Sequence, residues 1–345
     1  MERLILAYAM NDSLPLFTRR DVCRLTHINL AFGLIRNGLL DVSGLSNLHL
    51  IENFRKWNPA LRIVLSIGGW GAGGFSDMAM TEEGRWNFSR SCKRVVEEYG
   101  LDGVDIDWEY PCSELAGIDA HPRDRENFTQ LLRSLRKQLG HDRIVSIAAG
   151  ASKQFIHDTQ MDQVAKVVDY VQLMTYDLRS GFSHQAGHHA ALCASAGDDT
   201  GLNTQDMVRL FRRAGVPTEK IIIGAAFYSR RWTGVPNVNN GLMQQAQSVG
   251  LSGPRYDEIT DEYMEKNGFV KFWDADAQAA YLWNGSELIS YESPEAIRLK
   301  CDFVLREGLM GIMYWEHGCD RTGELLDAID GAFHDGHSQK GDHEN

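Results

Sequence analysis

Eight short apolar runs, separated by longer amphipathic stretches, constrain this chain more than any other feature of its sequence. They lie at residues 4–8, 27–32, 62–67, 104–108, 144–149, 170–174, 221–226 and 311–314. The runs are rich in Val, Ile and Leu, as strands buried on both faces of a parallel sheet tend to be. Helices are predicted between them, for example from an N-cap at Thr81 and over 204–214 and 294–306. This alternation indicates an α/β fold, either a closed (β/α)8 barrel or a doubly wound open sheet.

The interval between the seventh and eighth runs is longer than a single connecting helix requires. A barrel of this type takes about 250 residues, and the chain has 345. We therefore predict a barrel made of residues 1–232 and 293–334, with a small α+β insertion at 233–292 above its mouth. The polar segment 335–345 is predicted to be a disordered tail.

Composition narrows the classes of partner and compartment. A net charge of −12 argues against binding to nucleic acid, although a negative surface also serves solubility. No window approaches the ~18 apolar residues of a membrane span, and no signal peptide is recognised, so we expect a cytoplasmic monomer without membrane contact. A secreted enzyme whose signal was trimmed stays open. The six cysteines are scattered without a CxxC pair, which favours packing thiols over a zinc site; disulfides stay open.

The fourth run contains a row of carboxylates, within LDGVDIDWEY at 101–110. Side chains alternate along a strand, so Asp105, Asp107 and Glu109 share the face predicted to point into the barrel. Buried like charges repel and lose hydration, so packing alone does not favour this row. An acidic exposed edge strand, or a set of salt-bridge acceptors, is the alternative. In a buried row the members share protons, and a protonated Glu109 at the strand's C-terminal end can act as a general acid.

The pattern from Asp102 to Glu109 resembles the DxxDxDxE signature of family 18 glycoside hydrolases. Four other segments resemble family motifs in the same order: SIGGW at 66–70, QLMTYD at 172–177, FYSR at 227–230 and YW at 314–315. The resemblance covers residues 4–320. It implies a (β/α)8 barrel with an insertion after the seventh strand, as in the chitinase A-like branch.

The resemblance also implies a retaining mechanism in which the substrate's own N-acetyl group attacks its anomeric carbon and forms an oxazolinium ion. Glu109 would be the proton donor, and Asp107 would orient the acetamide. Asp105 would share a proton with Asp107, and Tyr176 would donate a hydrogen bond to the acetamide oxygen. Substrate contacts are implied for Trp315, Asp177, Gln172, Met174, Tyr8, Phe32, Trp70, Tyr110, Tyr228 and Arg230. The implied substrate is chitin or a chito-oligosaccharide, without metal or cofactor.

The other motifs in the sequence are weaker evidence of function. Gly69-x-Gly71-x-x-Gly74 matches a dinucleotide fingerprint, but the next helix is predicted only near Thr81, and we interpret the glycines as a tight turn. The histidines at 184, 188 and 189 lack the spacing of a known metal motif and are interpreted as loop residues. Trp86 is expected in the core because it lies inside a predicted helix. Trp232, Trp273 and Trp283 are expected either to pack in the insertion or to bind sugar. The chain departs from the common family pattern at 178–180 and at Ser229.

Three functions fit the resemblance. The first is a chitinase that cuts β-1,4 links between N-acetylglucosamine units. The second is a non-catalytic chitin-binding lectin on the same fold, which the retained Glu109 disfavours. The third is an endo-β-N-acetylglucosaminidase acting on N-glycans, which the long insertion disfavours.

Overall fold

The computed structural model describes residues 3–338. Its first seven strands are β1 (Leu4–Met10), β2 (His27–Arg36), β3 (Leu39–Asp41), β4 (Arg62–Gly68), β5 (Gly103–Asp107), β6 (Ile144–Gly150) and β7 (Tyr170–Met174). The remaining strands are β8 (Ile221–Ala226), β9 (Tyr228–Thr233), β10 (Leu251–Arg255), β11 (Val270–Asp274), β12 (Ala279–Trp283), β13 (Glu287–Tyr291) and β14 (Gly311–Trp315).

The helices lie between these strands, except for the last one, which follows β14. They are α1 (Arg19–Arg24), α2 (Ile51–Trp57), α3 (Phe75–Ala79), α4 (Glu82–Glu98), α5 (Asp124–Leu139), α6 (Lys153–His157), α7 (Met161–Val164), α8 (Thr204–Arg213), α9 (Tyr256–Glu258), α10 (Pro294–Glu307) and α11 (Glu324–Ser338). Over residues 3–338, no helix combines the length and the apolar composition that a membrane span requires.

Eight strands close into a parallel barrel in the order β1, β2, β4, β5, β6, β7, β8 and β14, with β14 beside β1. The short strand β3 adds to β2 as an antiparallel hairpin. The closing pair, in which Leu6 to Met10 of β1 lie beside His27 to Ala31 of β2, distinguishes this sheet from an open one. The predicted (β/α)8 barrel is therefore confirmed, and the doubly wound alternative is wrong.

Helix starts follow local capping chemistry. The Thr81 hydroxyl accepts a hydrogen bond from the Gly84 amide, so α4 begins where the sequence predicts it. Ser293 caps α10 in the same way through the Ala296 amide, and proline occupies the first helical position. The buried face of α5 includes Phe128, Leu131, Leu132, Leu135 and Leu139, which is the face that the periodicity indicates.

The chain divides into two compact units. One contains residues 6–173 and 210–222, and therefore holds β2 to β6 and helices α1 to α7. Its core includes the apolar positions of β4, β5 and β6, which are fully buried. This unit carries the carboxylate row.

The other unit contains the described residues among 1–5, 174–209 and 223–345. Within it, strands β9 to β13 form an antiparallel sheet in the order β10, β9, β13, β12, β11. Trp232, Tyr281, Trp283 and Leu288 are buried together in one cluster of this unit. Trp232 and Trp283 therefore serve packing rather than sugar binding.

Several local features differ from the sequence-based expectations. The five-residue helix α3 begins at Phe75, directly after Gly74 and before the predicted start at Thr81. Trp86 is 39% exposed, so the expectation that it is a core residue was wrong. It lies on the solvent side of α4, where the Lys137 ammonium sits 5.5 Å above its ring. Helix α11 extends to Ser338, and residues 339–345 of the predicted tail lie outside the described residues.

Candidate active site

The acidic row lies at the C-terminal end of β5, a strand whose residues are all buried. Asp105 lies opposite Ser66 of β4 and Ser146 of β6 in the parallel register. Paired positions of neighbouring strands face the same side of a sheet, so both hydroxyls face the Asp105 carboxylate. The strand ends at Asp107, and the buried side chain of Glu109 follows two residues later. Asp107 and Glu109, the two outer carboxylates of the row, therefore lie where the chain leaves the barrel wall.

Asp105 accepts four hydrogen bonds, two at each oxygen. Oδ2 accepts from the Tyr8 hydroxyl at 2.8 Å and from the Ser66 hydroxyl at 2.8 Å. Oδ1 accepts from the Ser146 hydroxyl at 2.7 Å and from Gln172 Nε2 at 2.9 Å. An ionised carboxylate offers about four acceptor positions, so this shell matches the charged form. Burial raises the pKa of the Asp105 carboxyl, and the four donors oppose that rise.

The orientation of the Gln172 amide is set by a second buried amide. Asn29 Nδ2 donates to Gln172 Oε1 at 2.9 Å, which leaves Gln172 Nε2 to donate to Asp105. Sequence reasoning missed both Asn29 and Ser146 as members of this network. Each is a polar residue inside an apolar strand run, and that interruption is the signal that could have found it.

Asp107 differs from Asp105 in its surroundings. Its Oδ1 atom is buried and has no hydrogen-bond partner within residues 3–338. Burial, together with the Glu109 and Asp105 carboxylates, raises the pKa of Asp107 well above its usual range. The neutral form is thus more stable at Asp107 than at Asp105. The outer part of the row, which comprises Asp107 and Glu109, is where the structure favours a bound proton.

The other unit contains a second charged group. Arg230 Nε and Nη2 donate to the two carboxylate oxygens of Asp177, each at 2.6 Å. Burial would raise the pKa of Asp177, but His189 and Arg230 hold it below its usual range. The Tyr228 ring lies 5.6 Å from the Arg230 guanidinium and 6.1 Å from the Tyr176 ring. Four residues predicted to contact substrate therefore form one group.

The family described as glycosyl hydrolases family 18 matches residues 7–320. This range covers the carboxylate row, the Asp177 group and the closing strand β14. The chain belongs to this family.

Solved structures and curated sequences agree with that assignment. An N-acetylglucosaminidase of family 18 from Paenibacillus barengoltzii superposes with a TM-score of 0.94 and is 48% identical, covering 96% of this chain and 99% of that one. Chitinase A1 of Niallia circulans is 34% identical over 308 residues, and Chitinase B of Serratia marcescens is 27% identical over 380 residues. The aligned part covers 82% of this chain and 44% of Chitinase A1, and 90% of this chain and 76% of Chitinase B. The match to Chitinase A1 thus spans less than half of that relative.

Aromatic side chains flank the acidic row of this family 18 protein. Trp108 is buried between the Phe75 ring, stacked at 5.1 Å, and the Phe128 ring, edge-on at 5.9 Å. Tyr110 contacts the Trp70 ring edge-on at 6.3 Å, and Trp70 is 55% exposed. The packing of Trp108 against Phe75 and Phe128 therefore holds the chain in place between Asp107 and Glu109. Trp70, in contrast, is largely exposed to solvent.

A glycine of the SIGGW segment lies in close contact with a neighbouring aromatic ring. Gly69 has φ +92°, and a Cβ on it would lie 2.7 Å from the Phe32 ring. Only glycine combines that backbone with that contact. This supports the interpretation of the segment as a tight turn and places Phe32 against it.

The remaining predicted site residues lie at strand ends. Met174 is the last residue of β7 and is buried, whereas Trp315 is the last residue of β14 and is half-buried. The Tyr176 hydroxyl lies 3.9 Å from Met313 Sδ. The roles of these residues toward substrate stay predictions.

The three histidines of the loop after β7 have different surroundings. Among the described residues, no group of three or more His, Cys, Asp or Glu side chains is arranged to hold a metal ion. His184 is exposed, whereas His188 and His189 are buried and each faces a different carboxylate.

Proposed function

We propose that this protein hydrolyses β-1,4 linkages between N-acetylglucosamine units of chitin or chito-oligosaccharides, with retention of configuration. The observation that carries the proposal is the division of the acidic row. Asp105 is surrounded by four donors, while Asp107 has a raised pKa beside Glu109. One fixed charge next to a pair of carboxyl groups that holds one proton is what a general acid without a carboxylate nucleophile requires.

The proposed reaction begins with proton transfer from Glu109 to the glycosidic oxygen. The substrate's acetamide oxygen attacks the anomeric carbon as the leaving group departs, and an oxazolinium ion forms. Hydrolysis of this ion by water gives a product with retained configuration. Asp107 holds the acetamide in place, and because the proton that it shares with Glu109 has gone to the leaving group, both outer carboxylates are charged at this stage. The fixed charge of Asp105 then stabilises the positive charge that builds up on the acetamide and sugar. Glu109 finally accepts a proton from the attacking water.

The proposal also draws on the relatives. Chitinase A1 and Chitinase B are chitinases, and they align with 82% and 90% of this chain. The carboxylates to which roles are assigned lie inside the matched range 7–320.

The first experiment compares wild type, Glu109→Gln and Glu98→Gln on a fluorogenic N,N′-diacetylchitobioside. A positioned general acid contributes about 10²–10⁴-fold, so kcat of Glu109→Gln is expected to fall by at least about 100-fold. Glu98 is an exposed residue of α4, and its variant should retain wild-type kcat. Near-normal turnover by Glu109→Gln would show that another group is the acid.

Two further measurements separate this proposal from the lectin alternative and test the role of the substrate's acetamide group. Isothermal titration of Glu109→Gln with chitotetraose should show binding without turnover. A cellulose oligomer, which lacks the 2-acetamido group, should remain uncut by the wild type. Binding of chitotetraose by a wild type that cuts none of these substrates would favour the lectin, and efficient cellulose cleavage would exclude substrate assistance.

A second candidate is release of single N-acetylglucosamine units. The relative from Paenibacillus barengoltzii, an N-acetylglucosaminidase, is 48% identical and is covered over 99% of its chain. Product analysis of chitotetraose at early times distinguishes the two activities. Monosaccharide as the first product favours the N-acetylglucosaminidase, and chitobiose or chitotriose as the first product favours the chitinase.

A further inference from the structure

The loop after β7 buries two adjacent histidines that point at two different carboxylates. His188 Nε2 lies 3.2 Å from Asp274 Oδ2 on β11. His189 Nδ1 lies 3.5 Å from Asp177 Oδ1. Neither histidine takes part in the proposed mechanism, and each is buried. The proximity of His189 to Asp177 bears on the candidate active site, because Asp177 is the carboxylate that Arg230 binds.

Backbone contacts hold His189 at this carboxylate independently of its ring. The Leu178 amide, which directly follows Asp177, donates to the His189 carbonyl oxygen at 3.0 Å. The His189 amide donates to the Ser290 hydroxyl of β13 at 3.0 Å. The loop is thereby tied to Asp177 on one side and to the antiparallel sheet on the other. A fixed backbone places the imidazole against Asp177 at little further cost in conformational entropy.

Asp177 itself occupies an uncommon backbone conformation, with φ +54°. A non-glycine residue in this region is strained and persists where its surroundings determine its conformation strongly. Arg230 binds both carboxylate oxygens, and His189 approaches the oxygen that also accepts from Arg230 Nε. The side chain of Asp177 is thus held from two elements, the loop after β7 and strand β9.

The charges around His189 favour a neutral imidazole. Burial and the positive charge of Arg230 lower the pKa of His189, against the opposing effects of Asp177 and Glu292. The Glu292 carboxylate is itself paired with Lys300, and the Tyr228 ring packs against His189 at 5.4 Å. Within residues 3–338 neither ring nitrogen of His189 meets the geometry of a hydrogen bond, so Nδ1 acts on Asp177 across 3.5 Å through its N–H dipole. A neutral ring with its proton on Nδ1 stabilises the Asp177 carboxylate in this way without adding a second buried cation.

We propose that His189 is a positioning residue that fixes the Asp177 carboxylate together with Arg230. This inference rests on the proposed function insofar as Asp177 contacts substrate. His189 does not touch the reacting atoms and acts through Asp177. Its removal leaves only side chains of β9 to orient the carboxylate, so substrate binding weakens while the acid Glu109 is unaffected.

The kinetic test compares His189→Ala, His189→Asn and His188→Ala on chito-oligosaccharides. For His189→Ala, KM is expected to rise about tenfold with kcat changed less than twofold. His189→Asn should restore most of the wild-type KM, because its amide nitrogen can occupy the position of the ring Nδ1. His188→Ala removes the adjacent buried imidazole but leaves Asp177 in place, so it should lower Tm without raising KM. An unchanged KM in His189→Ala, or an equal rise of KM in His188→Ala, would overturn the proposal.

A measurement without substrate separates this proposal from the proposed function. Long-range ¹H–¹⁵N correlation spectra of the histidine rings report which nitrogen carries the proton. We expect His189 to carry it on Nδ1 in the wild type and to lose this preference in Asp177→Asn. A proton on Nε2 in the wild type would overturn the positioning role, whether or not the protein cuts chito-oligosaccharides. Absence of hydrolysis beside an Nδ1 proton would count against the proposed function alone.

Discussion

A lysine and a glutamate are paired in the interior of the unit that contains α10. Lys300 of α10 and Glu292, which lies between β13 and that helix, retain 1% and 3% of their side-chain exposure. The Lys300 ammonium donates to Glu292 Oε1 and lies 3.5 Å from the Gly224 carbonyl oxygen of β8. The pair therefore connects α10 to the wall of the barrel, and we predict that breaking it is costly.

Lys300→Met keeps most of the side-chain volume but leaves the Glu292 charge buried without a counter-charge. Removing one partner of a buried ion pair costs about 3–5 kcal/mol, because the remaining charge has lost its hydration. The near-complete burial of both groups places this pair toward the upper end of that range. The double variant Lys300→Met with Glu292→Leu removes both charges, so it should be more stable than Lys300→Met alone.

Urea denaturation followed by tryptophan fluorescence measures these differences in the free energy of unfolding. The m value of each variant should match that of the wild type, which ensures that the same transition is compared. A loss below about 1 kcal/mol in Lys300→Met would refute the reasoning, since the expected penalty is at least about 3 kcal/mol. A double variant less stable than Lys300→Met would refute it as well, because it would locate the cost in packing rather than in charge.

Two other predictions concern the acidic strand. Trp108→Ala should lower the free energy of unfolding by about 3–5 kcal/mol by opening a cavity, whereas Trp86→Ala at an exposed ring should cost less than about 1 kcal/mol; urea titration checks both. Asp105→Asn should move the basic limb of the pH profile of kcat/KM to lower pH. Loss of the Asp105 charge lowers the pKa of Asp107, so the proton is lost earlier as pH rises. Asp102→Asn is the control for Asp105→Asn, because Arg55 and Arg62 already neutralise the Asp102 charge. An equal shift of the basic limb in Asp102→Asn would contradict the role given to the Asp105 charge.

The sequence predicts the barrel because its strands are defined locally. Buried parallel strands need continuous apolar runs, and all eight runs became barrel strands. The face shared by Asp105, Asp107 and Glu109 follows in the same way, since the side-chain period of a strand is fixed at two residues. Trp86 shows the limit of this reasoning. When the apolar pattern of a helix is weak, the position of a residue within the helix does not predict whether its side chain is buried or exposed.

The network around Asp105 could not be predicted, because it depends on register between strands. Tyr8, Ser66, Ser146 and Gln172 come from four different strands and meet at one carboxylate. Their convergence is a property of the closed barrel, and sequence spacing carries no information about it. The approach of His189 to Asp177 is non-local in the same sense. The twelve-residue separation is bridged by a loop whose course no periodicity describes.

The four donors around Asp105 also bear on where the proton of the acidic row resides. The family resemblance implies that Asp105 and Asp107 share one proton. If Asp105 is protonated, one of its oxygens must donate, and one surrounding group must turn from donor to acceptor. The hydroxyls of Tyr8, Ser66 and Ser146 can rotate to accept, whereas the amide of Gln172 is held by Asn29. Each such rotation gives up a charge-assisted hydrogen bond, which is stronger than a neutral one.

Protonation of Asp107 requires no such rearrangement, because its Oδ1 atom has no donor directed at it among residues 3–338. The lower-cost state of the row is therefore a charged inner carboxylate and a proton held between the two outer ones. The inner charge is held by groups on four strands, so we expect it to persist in the proposed reaction while the outer proton moves. A barrel wall supplies this asymmetry readily, since the inner residue lies among strands and the outer residues lie where the strand has ended.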